Sequence, residues 1–220
     1  MSNQAVIFDL DGTLLDTLDD LVNAVNHILR VHSFPERTRA ELRSFLGNGA
    51  RDLVKRSLPA KVDDEDFEKY LDEYVKYYNA HSKIETKPYP GVIDLLTELK
   101  SCGILTAVVS NKPDAAARSL CEEYFGPLVD FAIGDRPDIA RKPSADPVKL
   151  AMKELGCDRA VYVGDSEVDV MTAANAGLSC VSLTWGFRDK DLLEKNGATC
   201  FADNVEQLKK HIRELLEDGE

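Results

Sequence analysis

The sequence holds no apolar run longer than a β-strand, so no segment is suited to cross a membrane as a helix. Its start also lacks the basic and then apolar pattern of a secretion signal. Basic residues are in deficit: 27 Lys and Arg stand against 39 Asp and Glu, a net charge of −12. That balance argues against a nucleic-acid-binding surface and against adhesion to anionic membranes. Cysteine is sparse, with five residues at 102, 121, 157, 180 and 200 and no C-x-x-C pair. The odd number and wide spacing argue against a disulfide framework or a zinc site, and suit reduced thiols in a cytoplasmic protein. The four histidines form no H-x-x-x-H pair, which removes the common histidine metal site.

What is present begins with enough apolar material for a real core, 44% of 220 residues, in one large or two small domains. The most informative stretch is Ala5-Val6-Ile7-Phe8-Asp9-Leu10-Asp11-Gly12-Thr13-Leu14-Leu15-Asp16. A continuous apolar run of this length reads as a central strand buried on both faces. Its end delivers Asp9 and Asp11 to the crevice where open α/β sheets bind ligands. Residues two apart in extended chain share a face, so both carboxylates can reach one point. Two anions that close require a cation or a shared proton to offset them.

From Asp16 to about Glu85 the pattern is helical, with Leu18, Leu21, Val22, Val25, Ile28 and Leu29 at helical spacing. Thr38-Arg39-Ala40-Glu41 matches a capping box that opens a second helix, which Gly47 can close. A third helix follows Gly49. A fourth carries Phe67, Tyr70, Leu71, Tyr74, Val75 and Tyr78 on one stripe, read here as packing between helices. Pro88-Tyr89-Pro90-Gly91 breaks that run. Thereafter helices and strands alternate, the mark of a parallel sheet. A helix over Val92–Cys102 precedes a strand over Ile104–Val109, and Pro113 suits the start of the next helix. Further strands are expected near Val129–Ile133, Ala160–Val163, Cys180–Leu183 and Thr199–Phe201, with a last helix over Val205–Leu216. The expected architecture is α/β: residues 1–16 and 86–220 as a doubly wound, Rossmann-like parallel core, and residues 17–85 as an inserted helical domain.

Three further strings carry chemistry. Ser110-Asn111 follows the strand Ile104–Val109, where a hydroxyl, an amide and helix N–H groups can donate to phosphate oxygens; on residues alone, both are also ordinary helix caps. Lys142, before Pro143, is biased to extended backbone and offers a fixed cation, with Arg141 as its alternative through the guanidinium fork. Val161-Tyr162-Val163-Gly164-Asp165-Ser166-Glu167-Val168-Asp169 is a second apolar strand ending in acids, Asp165 and Asp169.

Asp9-Leu10-Asp11-Gly12-Thr13-Leu14 resembles the first motif of the haloacid dehalogenase superfamily, most of whose members are magnesium-dependent phosphatases. Ser110, Lys142 and the Asp165–Asp169 string resemble its second, third and fourth motifs, in order and across nearly the whole chain. The helical insertion resembles the α-helical cap that some members carry between the first two motifs. The resemblance implies Mg²⁺ as cofactor, held by the side chains of Asp9 and Asp165 and the backbone carbonyl of Asp11. It implies Asp9 as nucleophile, forming an aspartyl-phosphate, and Asp11 as general acid and base. Ser110, Asn111 and Lys142 would bind phosphate, with Asp169 in support. Charge agrees: four carboxylates face one lysine, so a phosphate is repelled until Mg²⁺ and a proton on Asp11 bring the sum to neutrality. Haloacid dehalogenases proper lack the second acid, so Asp11 points to phosphate chemistry.

Phe45-Leu46-Gly47-Asn48-Gly49-Ala50-Arg51, with Thr184-Trp185-Gly186-Phe187, resembles phosphoglycolate phosphatases. On that resemblance the substrate is a small phosphorylated metabolite, 2-phosphoglycolate, whose carboxylate meets Gly47, Asn48, Gly49 and Arg51 at a helix N-terminus. Pyrophosphatase, nucleotidase, sugar-phosphate phosphatase and β-phosphoglucomutase-like activities share the same core chemistry. A non-catalytic binding protein on this fold would have no need of both Asp9 and Asp11.

Overall fold

The structure is a computed structural model that describes residues 3–217; residues 1, 2 and 218–220 of the expected core lie outside the described residues. Strand β1 (Gln4–Phe8) is followed by a two-residue strand β2 (Leu15–Asp16) and four helices, α1 (Leu18–Val31), α2 (Arg39–Phe45), α3 (Gly49–Ser57) and α4 (Asp64–His81). A second two-residue strand, β3 (Lys87–Pro88), brings the chain back to α5 (Val92–Ser101), β4 (Leu105–Pro113), α6 (Asp114–Tyr124) and β5 (Phe131–Asp135). Then come α7 (Asp146–Leu155), β6 (Arg159–Gly164), α8 (Glu167–Ala176), β7 (Ser179–Leu183), α9 (Lys190–Lys195), β8 (Phe201–Ala202) and α10 (Val205–Glu217).

Six strands form one parallel sheet in the order β5-β4-β1-β6-β7-β8. Strand β1 is central because every residue from Ala5 to Phe8 is apolar and fully buried, leaving no face that water could cover. Alternation along it divides the core. Val6 and Phe8 pack with Leu95, Leu120 and Ile212 on one face; Ala5 and Ile7 pack with Val148, Ala151 and Ala173 on the other. Helices therefore cover both faces, as expected of a doubly wound sheet.

Register places the chemistry. Phe8 pairs with Val108 of β4 and with Val163 of β6, so the polar residues after these three positions emerge at one edge of the sheet. Strand β4 runs on to Pro113 rather than stopping at Val109. Its ladder with β5 is irregular between Val109 and Pro113, then resumes at Pro113 opposite Asp135. The apolar pattern ends at Val109 because Ser110, Asn111 and Lys112 line a cavity, while the backbone stays extended. Pro113 is consequently the residue before α6, not its first.

Helices α1–α4 pack around a second apolar cluster built from Leu21, Val25, Leu29, Leu53, Tyr74 and their neighbours, joined by Phe187 from the loop after β7. Thr38 and Glu41 form the expected capping box at α2: Glu41 N–H donates to Thr38 Oγ1 (3.2 Å) and Thr38 N–H to Glu41 Oε2 (2.8 Å). The junction with the sheet is a pairing of β2 with β3, Leu15 opposite Pro88 and Asp16 opposite Lys87, which sequence patterning does not reveal in strands this short. Buried Asp20 reinforces it. Its carboxylate accepts from the N–H groups of Ile84, Glu85 and Thr86 and from the Thr86 hydroxyl, tying the returning chain to the first turn of α1. No helix among the described residues is long and apolar enough to cross a membrane.

Candidate active site

Between the sheet edge and the four helices lies a cavity of about 720 Å³, counting the space open to solvent at its mouth. Asp9, Asp11, Ser110, Asn111, Lys142 and Asp165 all line it. Residues separated by more than 150 positions in sequence thus share one wall because three parallel strands end in register.

Lys142 is the buried hinge of this wall. Its Nζ donates to Asp169 Oδ1 (2.8 Å) and to the Tyr162 hydroxyl (3.1 Å), and lies 2.8 Å from Asp9 Oδ1. Beyond this ion pair, Asp9 Oδ1 has no hydrogen-bond partner among the described residues. Burial, opposed by Lys142, raises the Asp9 carboxyl to about 7. Asp165 is likewise raised, by burial first and then by the charges of Asp169 and Asp9. Burial disfavours the Lys142 ammonium, yet the Asp169 and Asp9 carboxylates outweigh it and hold Lys142 charged.

The Asp9, Asp165 and Asp169 carboxylates each place an oxygen within 4.8 Å of the others. Asp169 is already committed: besides Lys142 and Tyr162 it accepts from the N–H groups of Asp165 and Ser166 and from the Ser166 hydroxyl (2.6 Å). Asp165 accepts one bond on each oxygen, from Thr13 Oγ1 (3.1 Å) and Phe187 N–H (2.6 Å). Asp9, whose contact is with Lys142 alone, and Asp165 therefore retain acceptor capacity. Oxygen donors and excess negative charge fit a hard divalent cation. Gly12 belongs to this arrangement: its φ is +86°, and a Cβ there would overlap the Asp165 carboxylate.

The structure departs from expectation at five points. The Asp11 carboxylate lines the same cavity but stands outside the Asp9, Asp165 and Asp169 group, and is held by Lys112 Nζ (2.9 and 3.0 Å). Asn111 does not offer its amide to a phosphate. Both of its N–H donors are spent on carbonyls, those of Gly47 and Lys142 (3.1 Å each), leaving an acceptor oxygen that a phosphate dianion would repel. Arg51 does not reach the cavity: it points at Glu68 (3.0 Å) and stacks over Phe67, because its side of α3 faces α4. Gly47 and Gly49 do line the cavity, whereas Asn48 turns its carbonyl to Arg141. Finally, the tyrosine stripe of α4 is more than helix packing, since Tyr74 and Tyr78 wall the cavity.

Two buried cations that motif reading missed complete the lining. Lys112 touches Asp11 and donates to the Tyr78 hydroxyl (2.7 Å). Arg188 donates to Glu167 (2.7 Å) and to the carbonyls of Arg43 (3.0 Å) and Leu46, while Arg43 returns a bond to the Gly186 carbonyl (3.1 Å). Lys112 had a legible signal: in extended chain it shares a face with Ser110. Arg188 had none, because its contacts cross from the sheet to the inserted helices.

With this geometry, comparison with known proteins is informative. A profile of the haloacid dehalogenase-like hydrolases matches residues 6–183. A phosphoglycolate phosphatase of Cereibacter sphaeroides is 36% identical over 213 residues, which are 94% of this chain and 98% of that one. A crystal structure from Lactobacillus delbrueckii subsp. bulgaricus, assigned by inference as a phosphoglycolate phosphatase, superposes with a TM-score of 0.89 at 36% identity, covering 96% of this chain and 99% of that one. CbbY from Rhodobacter sphaeroides, in complex with xylulose-(1,5)-bisphosphate, superposes with a TM-score of 0.72 at 25% identity, covering 93% and 95%. The chain belongs to the haloacid dehalogenase-like hydrolase family, among its phosphatases.

Proposed function

We propose that this protein hydrolyses 2-phosphoglycolate, a small phosphate monoester, in an Mg²⁺-dependent reaction through an aspartyl-phosphate on Asp9. The observation that carries the proposal is the state of Asp9: a buried carboxylate on the cavity wall whose one partner among the described residues is the Lys142 ammonium, 2.8 Å from Oδ1. A carboxylate needs no base to act as a nucleophile once its charge is stabilised. Asp9 and Asp165 would hold the ion, which when bound screens their charges and polarises the phosphoryl oxygens.

The remaining roles fall to the chain itself. Asp9 attacks phosphorus. Asp11, two residues on, protonates the leaving oxygen and later takes a proton from water. The Ser110 hydroxyl and the Lys142 ammonium meet the transferring oxygens, and Asp169 keeps Lys142 in place. Helices α1–α4, residues 17–85, act as a cap that excludes water from a core of residues 1–16 and 86–220. Five unpaired cysteines suit a reducing, cytoplasmic setting.

The relatives' names support phosphoglycolate as substrate. The bisphosphate carried by CbbY favours one alternative, a sugar-phosphate phosphatase. The deciding experiment is a kinetic screen of small phosphate esters with Mg²⁺ and with chelator, including 2-phosphoglycolate, pentose phosphates, a nucleotide and pyrophosphate. Highest kcat/KM for 2-phosphoglycolate, abolished by chelator, is the expected result. A preference for pentose phosphates would replace the substrate, and full activity in chelator would overturn the metal.

A further inference from the structure

If the carboxylate of the leaving group is recognised, something other than Arg51 must recognise it. Of the cavity's cations, Lys142 is committed to Asp9, Asp169 and Tyr162, and Arg188 to Glu167 and two backbone carbonyls. Lys112 remains. It is 5% exposed and borders the cavity, and its ammonium sits 4.6 Å from the centroid of the Tyr78 ring. Tyr78 is 4% exposed and accepts a bond from Lys112 through its hydroxyl; among the described residues nothing accepts the proton that this hydroxyl itself carries. Burial and the nearby Asp11 charge keep that hydroxyl protonated.

The location matters as much as the chemistry. Lys112 Nζ lies within 3.0 Å of both Asp11 oxygens. Asp11 is the group that must reach the ester oxygen, within hydrogen-bond distance, to protonate it. A carboxylate two bonds beyond that oxygen, as in 2-phosphoglycolate, falls in the space next to Asp11, where Lys112 and Tyr78 converge. We propose that Lys112 and Tyr78 form the subsite for a carboxylate on the leaving group, one donor from the sheet and one from the helical cap. This rests on the phosphatase reading above and deepens it.

The test compares an anionic and a neutral substrate of similar size, 2-phosphoglycolate and ethyl phosphate, in wild type, Lys112→Met and Tyr78→Phe, all with Mg²⁺. A charge-assisted hydrogen bond sets the scale, so the ratio of kcat/KM values should fall by roughly 10- to 100-fold in Lys112→Met, and by roughly 10-fold in Tyr78→Phe. The ratio is read because Lys112 also touches Asp11, and its loss can slow both substrates together. An unchanged ratio in both variants, or no preference in the wild type, overturns the subsite while leaving the phosphatase reading intact. Direct binding separates the two further: 3-phosphonopropionate and propylphosphonate, which cannot be hydrolysed, are titrated calorimetrically. The wild type should favour the first, and Lys112→Met should lose that preference yet still bind inorganic phosphate. If no phosphate ester is turned over but the phosphonate preference follows Lys112, the subsite stands and the catalytic reading fails.

Discussion

Asp169 is the residue on which the rigidity of the site depends, and Asp169→Asn measures that dependence. The side chain is fully buried and accepts five hydrogen bonds: two on Oδ1, from Lys142 and Tyr162, and three on Oδ2, from Asp165 N–H, Ser166 N–H and Ser166 Oγ. Asparagine keeps one acceptor oxygen and turns an NH₂ toward donors whichever way it is placed. Facing Lys142, the amide opposes an ammonium that cannot reverse its role; facing the turn, it opposes two backbone N–H groups. Breaking a buried charge pair costs about 3–5 kcal/mol, and because Lys142 keeps Asp9 the lower end applies, about 3 kcal/mol. For a chain of this size each kcal/mol shifts Tm by about 2–4 °C, so Tm should fall by about 6–12 °C. Lys142 would also lose its fixed position, and a displacement near 1 Å lowers turnover by roughly 100-fold. Urea unfolding followed by two optical probes in chelator gives the stability, and steady-state kinetics in Mg²⁺ gives kcat. A loss below about 1 kcal/mol with normal kcat would refute Asp169 as the support of Lys142.

Asp9→Asn should remove turnover while leaving Tm near or above the wild-type value, since it deletes a buried charge; mass spectrometry of quenched wild type should place phosphate on Asp9 and nowhere else. Mg²⁺ affinity should depend on pH with a definite sign. With the Asp9 carboxyl raised to about 7 and Asp165 raised as well, metal must displace protons at neutral and lower pH, so affinity climbs as pH rises. Calorimetry in buffers of different ionisation heat should detect that proton release, and a pH-independent affinity would contradict it. Asp20→Ala leaves three N–H donors of the returning chain without their acceptor and should cost about 3 kcal/mol, read by urea unfolding. Hydrogen exchange should quicken first at residues 84–86 in that variant; unchanged exchange there would show that β2–β3 pairing alone holds the junction.

How far this protein can be read without its structure is decided by how local each cause is. The run Ala5–Phe8 is apolar on both faces, so its burial at the centre of a parallel sheet follows from those residues alone. The acids after it, and those after the similar run Val161–Val163, are bound to emerge at the same edge once the strands pair in parallel. Thr38 and Glu41 close their own capping box with no help from outside. In the same way Ser110 and Asp165 follow strand signals that travel with them in sequence, and their convergence on one cavity needs only the sheet, whereas Lys142, marked by the proline after it, reaches the cavity from the connection between β5 and α7.

Tertiary contact decided the rest. Arg51 and Lys112 both stand near a glycine- or proline-marked turn, and as letters Arg51 is the more persuasive anion ligand. Helix α3 nevertheless presents Arg51 to Glu68 and Phe67 of α4, while Lys112 is carried inward by the same extended backbone that presents Ser110. The side-chain donors of Asn111 were settled in the same way: two carbonyls from distant segments took them. The two-residue strands β2 and β3 have too little pattern to be legible, and each exists only because the other lies opposite. The sequence by itself determined which side chains are carried to the end of each strand, because strand burial is local in its cause. Which charges face the cavity and which face one another was settled by packing, since a buried charge stays where partners from elsewhere in the chain offset its desolvation.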